Sequence, residues 1–348
     1  MSLSRPATFP LLKLPFLCIE PVIKSWDIFD IIFFALTSKR TRQVVKHLKI
    51  PLNRIRIFLT DRKWIELDTL LFKRWNFWNE GELKLLFDEH QNLSKDHLVL
   101  QKNELPLYTS KTDVSLESYT DGNETNALKM TMGFLNEVFK CSVERVVIKE
   151  DNFPESGDFG VKSTVKLSID SRLGYDRSQK LNLLLEKLEV TGTCIFCVTN
   201  TENGFFVDPK LFKCKQLMFC WGSADWVTKE ILLQFEIPQL QFSYCPFSVE
   251  DILSFVTNWF HSDNKALEYL YIAFHDRQVS LEQYGIREFN PFPFSERNRI
   301  PPSRSFGDID FPIGMELVRH DGLSATIHVN NGRFLFYIWH NQSAVTQS

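Results

Sequence analysis

One apolar stretch near the amino terminus, interrupted by prolines, decides how the chain begins to fold. It is Phe9–Ile50, FPLLKLPFLCIEPVIKSWDIFDIIFFALTSKRTRQVVKHLKI. Pro10 and Pro15 each fix their own φ and lack an N–H, so we expect Phe9–Pro15 to run extended. Behind them, apolar residues recur at i, i+3, i+4 and i+7, which is the spacing of a helix. The stretch therefore predicts an extended lead followed by short helices.

Three helices are predicted in this stretch. Pro21 fits within the first turn of the first helix, where a missing N–H costs little. Ser25 or Asp27 can cap the second helix. Ser38, or the threonine before it, can cap the third, and Pro51 ends it. The apolar stripe of the first helix consists of Ile19, Val22, Ile23 and Trp26.

These helices are too short and too apolar to bury their surface by themselves. Two interpretations follow. The helices form an amino-terminal bundle packed on the rest of the chain, or they form a docking module that keeps an apolar face for a partner.

Composition and charge limit the remaining possibilities. The chain of 348 residues is 44% hydrophobic and 24% charged, as is ordinary for a folded globular protein, and its 31 Phe and 8 Trp predict a large aromatic core. The net charge of −3 argues against a dedicated nucleic-acid binder, because no basic excess is available to neutralise phosphates. The basic residues around Lys39–Lys49 are interpreted as a solvated helix face, in preference to a patch for nucleic acid or an acidic partner.

Three features of the sequence predict the cellular compartment of the protein. The amino terminus lacks a secretory signal, and no window approaches eighteen uncharged apolar residues, so no membrane partner is expected. The seven cysteines are scattered along the chain. Reduced thiols in the cytoplasm or nucleus are the simplest account of this odd number.

The pattern changes to period two after Pro51. Ile55, Ile57 and Leu59 alternate with polar or aromatic residues, and a return through Trp64–Leu67 predicts a β-hairpin. The polar segment Tyr108–Asn126 shows no periodicity and is predicted to be a surface loop or a weakly ordered insert.

Strand-like units recur through the middle of the chain. Their last residues fall at Ile148, Val190, Phe219, Phe242 and Ile272. Three of the four intervals lie in or beside the range of leucine-rich repeats, and strand–helix–strand units at this spacing imply parallel pairing. The alternative is an ordinary α/β domain without a true repeat.

The carboxyl-terminal region gives two opposite signals. Tyr284–Gly314 is rich in proline and is predicted to be a loop. Beyond it, two alternating apolar runs flank Asn331-Gly332, which is a strong cue for a hairpin.

No residue pattern points to catalysis or to a cofactor. Cys194 and Cys197 have the spacing of a redox or zinc pair, but they lie in an apolar β-branched run without a second ligand pair, so buried core thiols are preferred. Phosphate-binding, dinucleotide-binding and serine-nucleophile motifs are absent from the sequence. We therefore predict a chain that is not an enzyme and has no metal or cofactor site.

Two parts of the sequence resemble known families. FPLLKLP, the Val22–Ile23 pair and the segment Ala35–Arg40 resemble an F-box. Ser248–Phe274, with Trp259 followed by Leu-Glu-x-Leu, resembles the core of the type 2 F-box-associated domain of nematode F-box proteins. Its carboxyl-terminal signature is similar to Asp321-Gly322-Leu-Ser-Ala-Thr-Ile and Phe336-Tyr-Ile-Trp-His. The sequence departs from the family at Ile252-Leu-Ser and at the apparent insertion Asn298–Ser305.

The resemblance implies an α+β architecture in three parts. A three-helix F-box at residues 8–51 is followed by a connecting β-hairpin and loop region at residues 52–127. An F-box-associated α/β domain with leucine-rich-repeat-like strand–helix units and a terminal hairpin occupies residues 128–342.

The resemblance also implies a function. The chain would be a substrate-recognition adaptor of a Skp–cullin–F-box ubiquitin ligase. It would bind the Skp-type linker subunit through the F-box and an unknown target protein through the second domain. The residues implied in linker binding are Phe9, Leu11, Leu14, Pro15, Val22 and Ile23.

Two other functions stay open at this point. One is a repeat-type interaction protein that never joins a ligase, and the other is an enzyme with an unrecognised site. Large aromatic residues are candidates for a binding face, although each is more often part of a core. They are Trp221, Trp226, Tyr244 and Tyr271.

Overall fold

The structure is a computed structural model of the chain, and it forms two compact units. The first unit comprises Met1–Val147 and Asp158–Lys162, and the second comprises Ile148–Gly157 and Ser163–Ser348. The structure describes residues 11–67, 73–79, 98–102, 105–111, 115–120, 124–149, 152–170, 175–197, 204–221, 224–245, 247–274, 289, 291–293, 314–330 and 332–340.

The first unit begins with the three predicted helices. They are α1 (Phe16–Lys24), α2 (Ile28–Thr37) and α3 (Lys39–His47). Asp27 caps α2 by accepting a hydrogen bond from the backbone N–H of Phe29. Ser38 caps α3 in a reciprocal capping box with Thr41. The polar residues between the apolar stripes therefore start the helices, as the sequence predicted.

Two local expectations in this region were wrong. The described part of the proline-flanked lead, Leu11–Lys13, is a 3₁₀ turn and not an extended segment. Pro21 lies well inside α1, which begins at Phe16, and not in its first turn. The carbonyl that would otherwise accept from residue 21 belongs to Leu17, whose side chain is 81% exposed, so water can satisfy it.

A mixed sheet and one long helix complete the first unit. The strand order is β7-β1-β2-β3-β6-β5-β4, and the helix α4 (Glu124–Val138) buries Leu128, Met132 and Leu135. β1 pairs antiparallel with β2, so the predicted hairpin is confirmed. The strands are β1 (Pro51–Leu59), β2 (Lys63–Leu67), β3 (Lys73–Asn79), β4 (Leu98–Lys102), β5 (Leu105–Lys111), β6 (Ser115–Thr120) and β7 (Lys140–Lys149).

The polar segment Tyr108–Asn126 is not the predicted surface loop. It contains most of β5, all of β6 and the start of α4, and β6 pairs in parallel with β3. The inward positions of β6 include Leu116 and Ser118, both fully buried. Ser118 Oγ accepts a hydrogen bond of 2.8 Å from Trp75 Nε1, so this polar side chain is satisfied in the interior. Because an interior position of β6 is polar, the sequence does not show the apolar alternation of a strand.

The second unit is a sheet with helices between its strands. The strand order is β13-β14-β15-β16-β12-β11-β10-β9-β8. Its strands are β8 (Ser163–Asp170), β9 (Glu189–Cys197), β10 (Gln216–Cys220), β11 (Gln239–Ser243), β12 (Tyr269–Ala273), β13 (Phe292–Pro293), β14 (Met315–Val318), β15 (Ser324–Asn330) and β16 (Arg333–Trp339). Its helices are α5 (Tyr175–Lys187), α6 (Lys229–Leu232) and α7 (Val249–His261).

Strands β8 to β12 are parallel, as the spacing predicted, and their register brings like residues side by side. Phe196, Phe219 and Phe242 are direct neighbours on successive strands, with adjacent ring centroids 5.1 and 5.0 Å apart. Ile272 continues this row on β12. The rows of stacked rings account for part of the high phenylalanine content and form the core face of the sheet.

The register corrects one unit of the predicted repeat. Phe196, and not Val190, is the β9 residue aligned with Phe219. Val190 instead pairs with Thr164, at the other side of an irregularity in the β8–β9 ladder. The aligned residues on β9, β10 and β11 are therefore evenly spaced, since Phe196, Phe219 and Phe242 are each 23 residues apart.

The carboxyl-terminal hairpin is confirmed. β15 and β16 pair antiparallel from Ser324–Trp339 to Asn330–Arg333, and Gly332 in the turn has a positive φ of 70°. Within the predicted proline-rich loop Tyr284–Gly314, Phe292–Pro293 forms the short strand β13 and is therefore not loop. Most of the rest, including the apparent insertion Asn298–Ser305, lies outside the described residues. The chain thus combines amino-terminal helices with mixed α/β structure in each unit, which agrees with the predicted α+β class. In the described part of the chain, no helix has the length and apolar character needed to span a membrane.

Candidate docking surfaces

Helix α1 has two apolar sides, and only one of them is covered. Ile19 and Ile23 lie one turn apart on the same side and are buried. On the other side lie Leu17 and Val22, both exposed. Ile23 therefore packs within its own chain in this structure, whereas Val22 is accessible.

We call the accessible side the α1 face. It consists of Leu17, Cys18, Pro21 and Val22, with Pro15 and Phe16 at its amino-terminal end. All six residues are exposed and none carries a charge. Lys24 borders this side at its carboxyl-terminal end. An exposed apolar helix side beside a covered one is typical of a surface that packs against a partner.

The segment before α1 is fixed by the helix α3. Arg40 Nη2 donates a hydrogen bond of 2.9 Å to the carbonyl oxygen of Leu12. Leu11 and Leu14, on either side, are half-buried. Phe9 lies outside the described residues. Leu11 and Leu14 therefore lie in the turn directly before the α1 face, and Arg40 bonds the backbone of that turn at Leu12.

The three helices pack closely on the rest of the first unit. Lys73 Nζ on β3 lies 2.8 Å from Asp27 Oδ2 and 5.2 Å from the ring centroid of Phe29. The guanidinium of Arg42 lies 5.3 Å from the ring centroid of Phe134 on α4. These contacts explain why one side of the helices is covered and show that β3 and α4 provide the cover.

The second unit offers a different surface. Residues alternate along its parallel strands, so that one face carries the phenylalanine row and the other carries side chains from between those residues. We call the latter the open face. Along β10 and β11 its residues are half-buried, among them Met218 and Gln241.

Polar side chains at the amino-terminal half of the open face bond to one another. Gln216 Nε2 donates to the hydroxyl of Tyr269 at 2.7 Å, and Gln239 Nε2 donates to Glu268 Oε2 at 2.7 Å. Burial raises the pKa of Tyr269 to about 12, and the hydrogen bond from Gln216 acts in the opposite direction. The polar side chains in this half of the face are therefore already engaged in hydrogen bonds to one another.

Two exposed aromatic residues follow the parallel strands at the carboxyl-terminal edge of the sheet. Trp221 is 67% exposed and Tyr244 is 46% exposed. Each directly follows a parallel strand, and each has a positive φ, 59° for Trp221 and 58° for Tyr244. Trp226, the other tryptophan predicted as a candidate, is buried against Phe219 and Phe205 and belongs to the core.

A cation lies at the same edge of the sheet, on a strand two strands away from that of Tyr244. Arg333 on β16 is exposed and pairs with Ala273 on β12. Tyr271 on β12 lies within electrostatic reach of both Arg333 and Tyr244. Burial is the main cause that raises its pKa, Tyr244 raises the pKa further, and Arg333 lowers it. Trp221, Tyr244, Tyr271 and Arg333 therefore occupy one edge, which we call the aromatic edge.

The cysteines do not form the pair that their spacing suggests. Cys194 and Cys197 are three residues apart on β9, so their side chains lie on opposite faces of the sheet. Cys197 instead neighbours Cys220 on β10. Burial is the main cause that raises the pKa of Cys214, Cys220 and Cys245 to about 12. All seven cysteines are free, and in the described part of the chain no cluster of three metal-ligating side chains occurs.

Sequence reasoning missed two residues of these surfaces. Leu17 lies outside the i, i+3, i+4 stripe of Ile19 and Ile23, and a plot of the opposite helix side would have found it. Arg333 required the register of β12 with β16, which the hairpin alone does not give.

Comparison with known proteins adds one finding. A family described as F-box associated matches residues 210–272. No curated protein and no solved structure showed a significant match. The matched range runs from just before β10 to Ile272 on β12, and it includes α6, β11 and α7. Residues 210–272 are therefore similar to an F-box-associated domain, and this range overlaps the Ser248–Phe274 segment that resembled one in sequence.

Proposed function

We propose that the chain is the substrate-recognition adaptor of a Skp–cullin–F-box ubiquitin ligase. The observation that carries this proposal is the F-box-associated match at residues 210–272. It lies on parallel strands that place Phe219 and Phe242 in register. Evenly spaced, in-register strands with helices between them also support the leucine-rich-repeat-like interpretation of this region.

In this proposal helices α1 to α3 are the F-box, and the α1 face contacts the Skp-type linker subunit. Leu11, Leu14, Pro15 and Val22 lie at or beside that face, and the structure adds Leu17. Ile23 has a different role. Because it is fully buried, it holds α1 on the unit, and its replacement would act through folding. The role of Phe9 stays a prediction.

The adaptor itself would catalyse no bond change. It would hold a target protein near the ubiquitin-loaded subunit and so raise the effective concentration of the reacting groups. The domain limits at residues 8–51, 52–127 and 128–342 belong to this proposal. The seven free cysteines support a place in the cytoplasm or nucleus.

Co-purification with a Skp-type linker tests the proposal. We expect the full chain to bind the linker at micromolar concentration. Leu17→Glu should weaken binding at least tenfold, because a carboxylate would be desolvated in the interface. Leu14→Ala with Pro15→Ala should weaken it as well.

The matched control is Leu183→Glu, which places the same charge at an exposed leucine of α5 in the second unit. It should leave linker binding unchanged. Failure of the unmodified chain to bind the linker would refute the ligase role.

A second function is favoured by the packing of the amino-terminal helices. The contacts of Lys73 with Asp27 and of Arg42 with Phe134 would also suit helices that only cap a repeat-type interaction protein. In that case linker binding would be absent, and Leu17→Glu would change neither binding nor stability.

A further inference from the structure

The aromatic edge repeats one unusual backbone feature on two successive strands. Phe219 pairs with Phe242, and two residues beyond each lie Trp221 and Tyr244. Both residues therefore occupy the same position at the ends of neighbouring strands. Both have a left-handed backbone, with φ values of 59° and 58°.

A left-handed backbone is unfavourable for a bulky side chain, by about 1 kcal/mol relative to its usual conformations. Glycine or asparagine would take this conformation more readily. The side chains of Trp221 and Tyr244 are nevertheless large, and they are exposed. Neither burial nor backbone preference accounts for a large side chain at these two positions, and exposed aromatic residues of this kind are typical of binding surfaces.

Arg333 supplies the charge at this edge. On the open face, strands β10, β11, β12 and β16 carry no carboxylate between their first and last residues. Glu268 lies before β12 at the opposite end and is bonded to Gln239. Nearer to the edge is Asp225, an exposed residue in the segment after β10, whose charge helps to raise the pKa of Cys245, the residue after Tyr244. An anionic group of a partner is the complement of Arg333.

The strand order fixes the distance between the aromatic residues and the cation. Arg333 on β16 is two strands from Tyr244 and three strands from Trp221. Strands lie about 4.8 Å apart, so these separations are about 10 and 14 Å. An extended peptide advances about 3.3 Å per residue, so three to four residues of a peptide would cover the distance.

We propose that the aromatic edge is the target-binding surface, and that it takes an extended peptide segment lying across the strands. The segment carries an acidic side chain for Arg333 and, three or four residues away, an apolar side chain for Trp221 and Tyr244. This inference rests on the proposed adaptor function and names the chemistry of its target. Beyond Tyr271 in the same row, Leu335 and His328 are buried, so the surface ends at β16.

A random library of twelve-residue peptides, displayed on phage and selected on the full chain, tests the proposal. Enriched peptides should share an acidic residue three or four positions from an apolar one. One enriched peptide is then synthesised in its natural form and with lysine in place of the acid, and affinities are measured by fluorescence anisotropy. Trp221→Ala should weaken binding of the natural peptide at least tenfold.

Charge reversal provides the decisive comparison. Arg333→Glu should lose the acidic peptide and gain the lysine peptide, because the sign of the contact is inverted at both partners. Phe206→Ala is the matched control, since Phe206 is an exposed aromatic residue of the same unit that packs against Trp226 and not at the aromatic edge. It should bind both peptides as the unmodified chain does.

Two results would overturn the proposal: a selection without the acidic–apolar pattern, or binding that Trp221→Ala and Arg333→Glu leave intact. Linker binding is measured on the same preparations. Loss of peptide recognition with linker binding retained refutes the target surface alone, whereas loss of linker binding with peptide recognition retained refutes the ligase role alone.

Discussion

Arg319 is a fully buried charge whose donors are used within the second unit. Its Nε and Nη2 donate to the two carboxylate oxygens of Asp321, at 3.0 and 2.8 Å. Its Nη1 donates to the backbone carbonyls of Trp259 and Asn264. The guanidinium also lies 5.1 Å from the ring centroid of Trp259, near the carboxyl end of α7, where a positive charge is favoured. A buried arginine is stable here because it is paired and hydrogen-bonded.

The carboxylate of Asp321 should make stability depend on pH. The hydrogen bond from Arg319 is the first cause that holds the pKa of Asp321 well below its usual range. A lowered folded pKa stabilises the fold above the unfolded value of about 4, and this stabilisation falls as pH drops below it. We therefore expect Asp321→Asn to be less stable than the unmodified chain at pH 6, and the difference to shrink at pH 3.

Urea unfolding at both pH values measures this difference. The control is Asp263→Asn, because the side chain of Asp263 is 96% exposed. Its substitution should change the free energy of unfolding by less than about 0.5 kcal/mol at either pH. An Asp321→Asn difference that is the same at pH 6 and pH 3 would contradict the prediction.

Among the elements, hydrophobic periodicity predicts best those strands that have one buried and one solvent-exposed side. β1 alternates because Ile55 and Ile57 are buried and their neighbours are less so. β16 is buried on both sides, and its signal came from the Asn-Gly turn before it. β6 gave no such signal. Its interior Ser118 is satisfied by Trp75, a partner 43 residues away in sequence, and hydrophobic periodicity carries no information on that bond.

Register was the second limit of sequence reasoning at this scale. Phe219, Phe242 and Ile272 were aligned correctly, because each strand has the same short apolar pattern. For β9 the pattern predicts Val190 as the aligned residue in place of Phe196, six residues later, because β9 is long and has apolar residues at both ends. Likewise, the α1 stripe predicted that Val22 and Ile23 share a side, but adjacent helical residues are about 100° apart and the structure buries only Ile23.

Because of the phenylalanine row, substitution of Phe219 should lower the stability of the second unit, whereas substitution of Trp221, two residues later, should not. Phe219 is fully buried and stacks on a ring at each side, so Phe219→Ala should cost about 3–5 kcal/mol of unfolding free energy. Trp221 is exposed, so Trp221→Ala should change stability by less than about 0.5 kcal/mol. Chemical denaturation of the two variants tests this contrast, and comparable losses for both would show that Trp221 is part of the core.

At the scale of the whole chain, the amino-terminal helices are part of the first unit and not a detachable module. The side chain of Lys73 is only 6% exposed because Asp27 and Phe29 cover it. Arg42 covers Phe134 on α4 in the same way. Removal of residues 1–50 would leave Lys73 without its carboxylate and would bring apolar residues of α4 into contact with water. A truncated chain is therefore a poor test of linker binding, and a substitution on the α1 face is a better one.

Hydrogen exchange should show this dependence directly. We expect deletion of residues 1–50 to speed amide exchange in β2, β3 and α4, because those elements lose buried contacts, and to leave β9 to β12 of the second unit unchanged. Leu17→Glu in the full chain should leave exchange in β2, β3 and α4 as it is, since its side chain is 81% exposed. If the deletion leaves exchange in the first unit unaltered, the three helices are an independent module. Loss of linker binding by Leu17→Glu with exchange unaltered would place the defect at the α1 face itself.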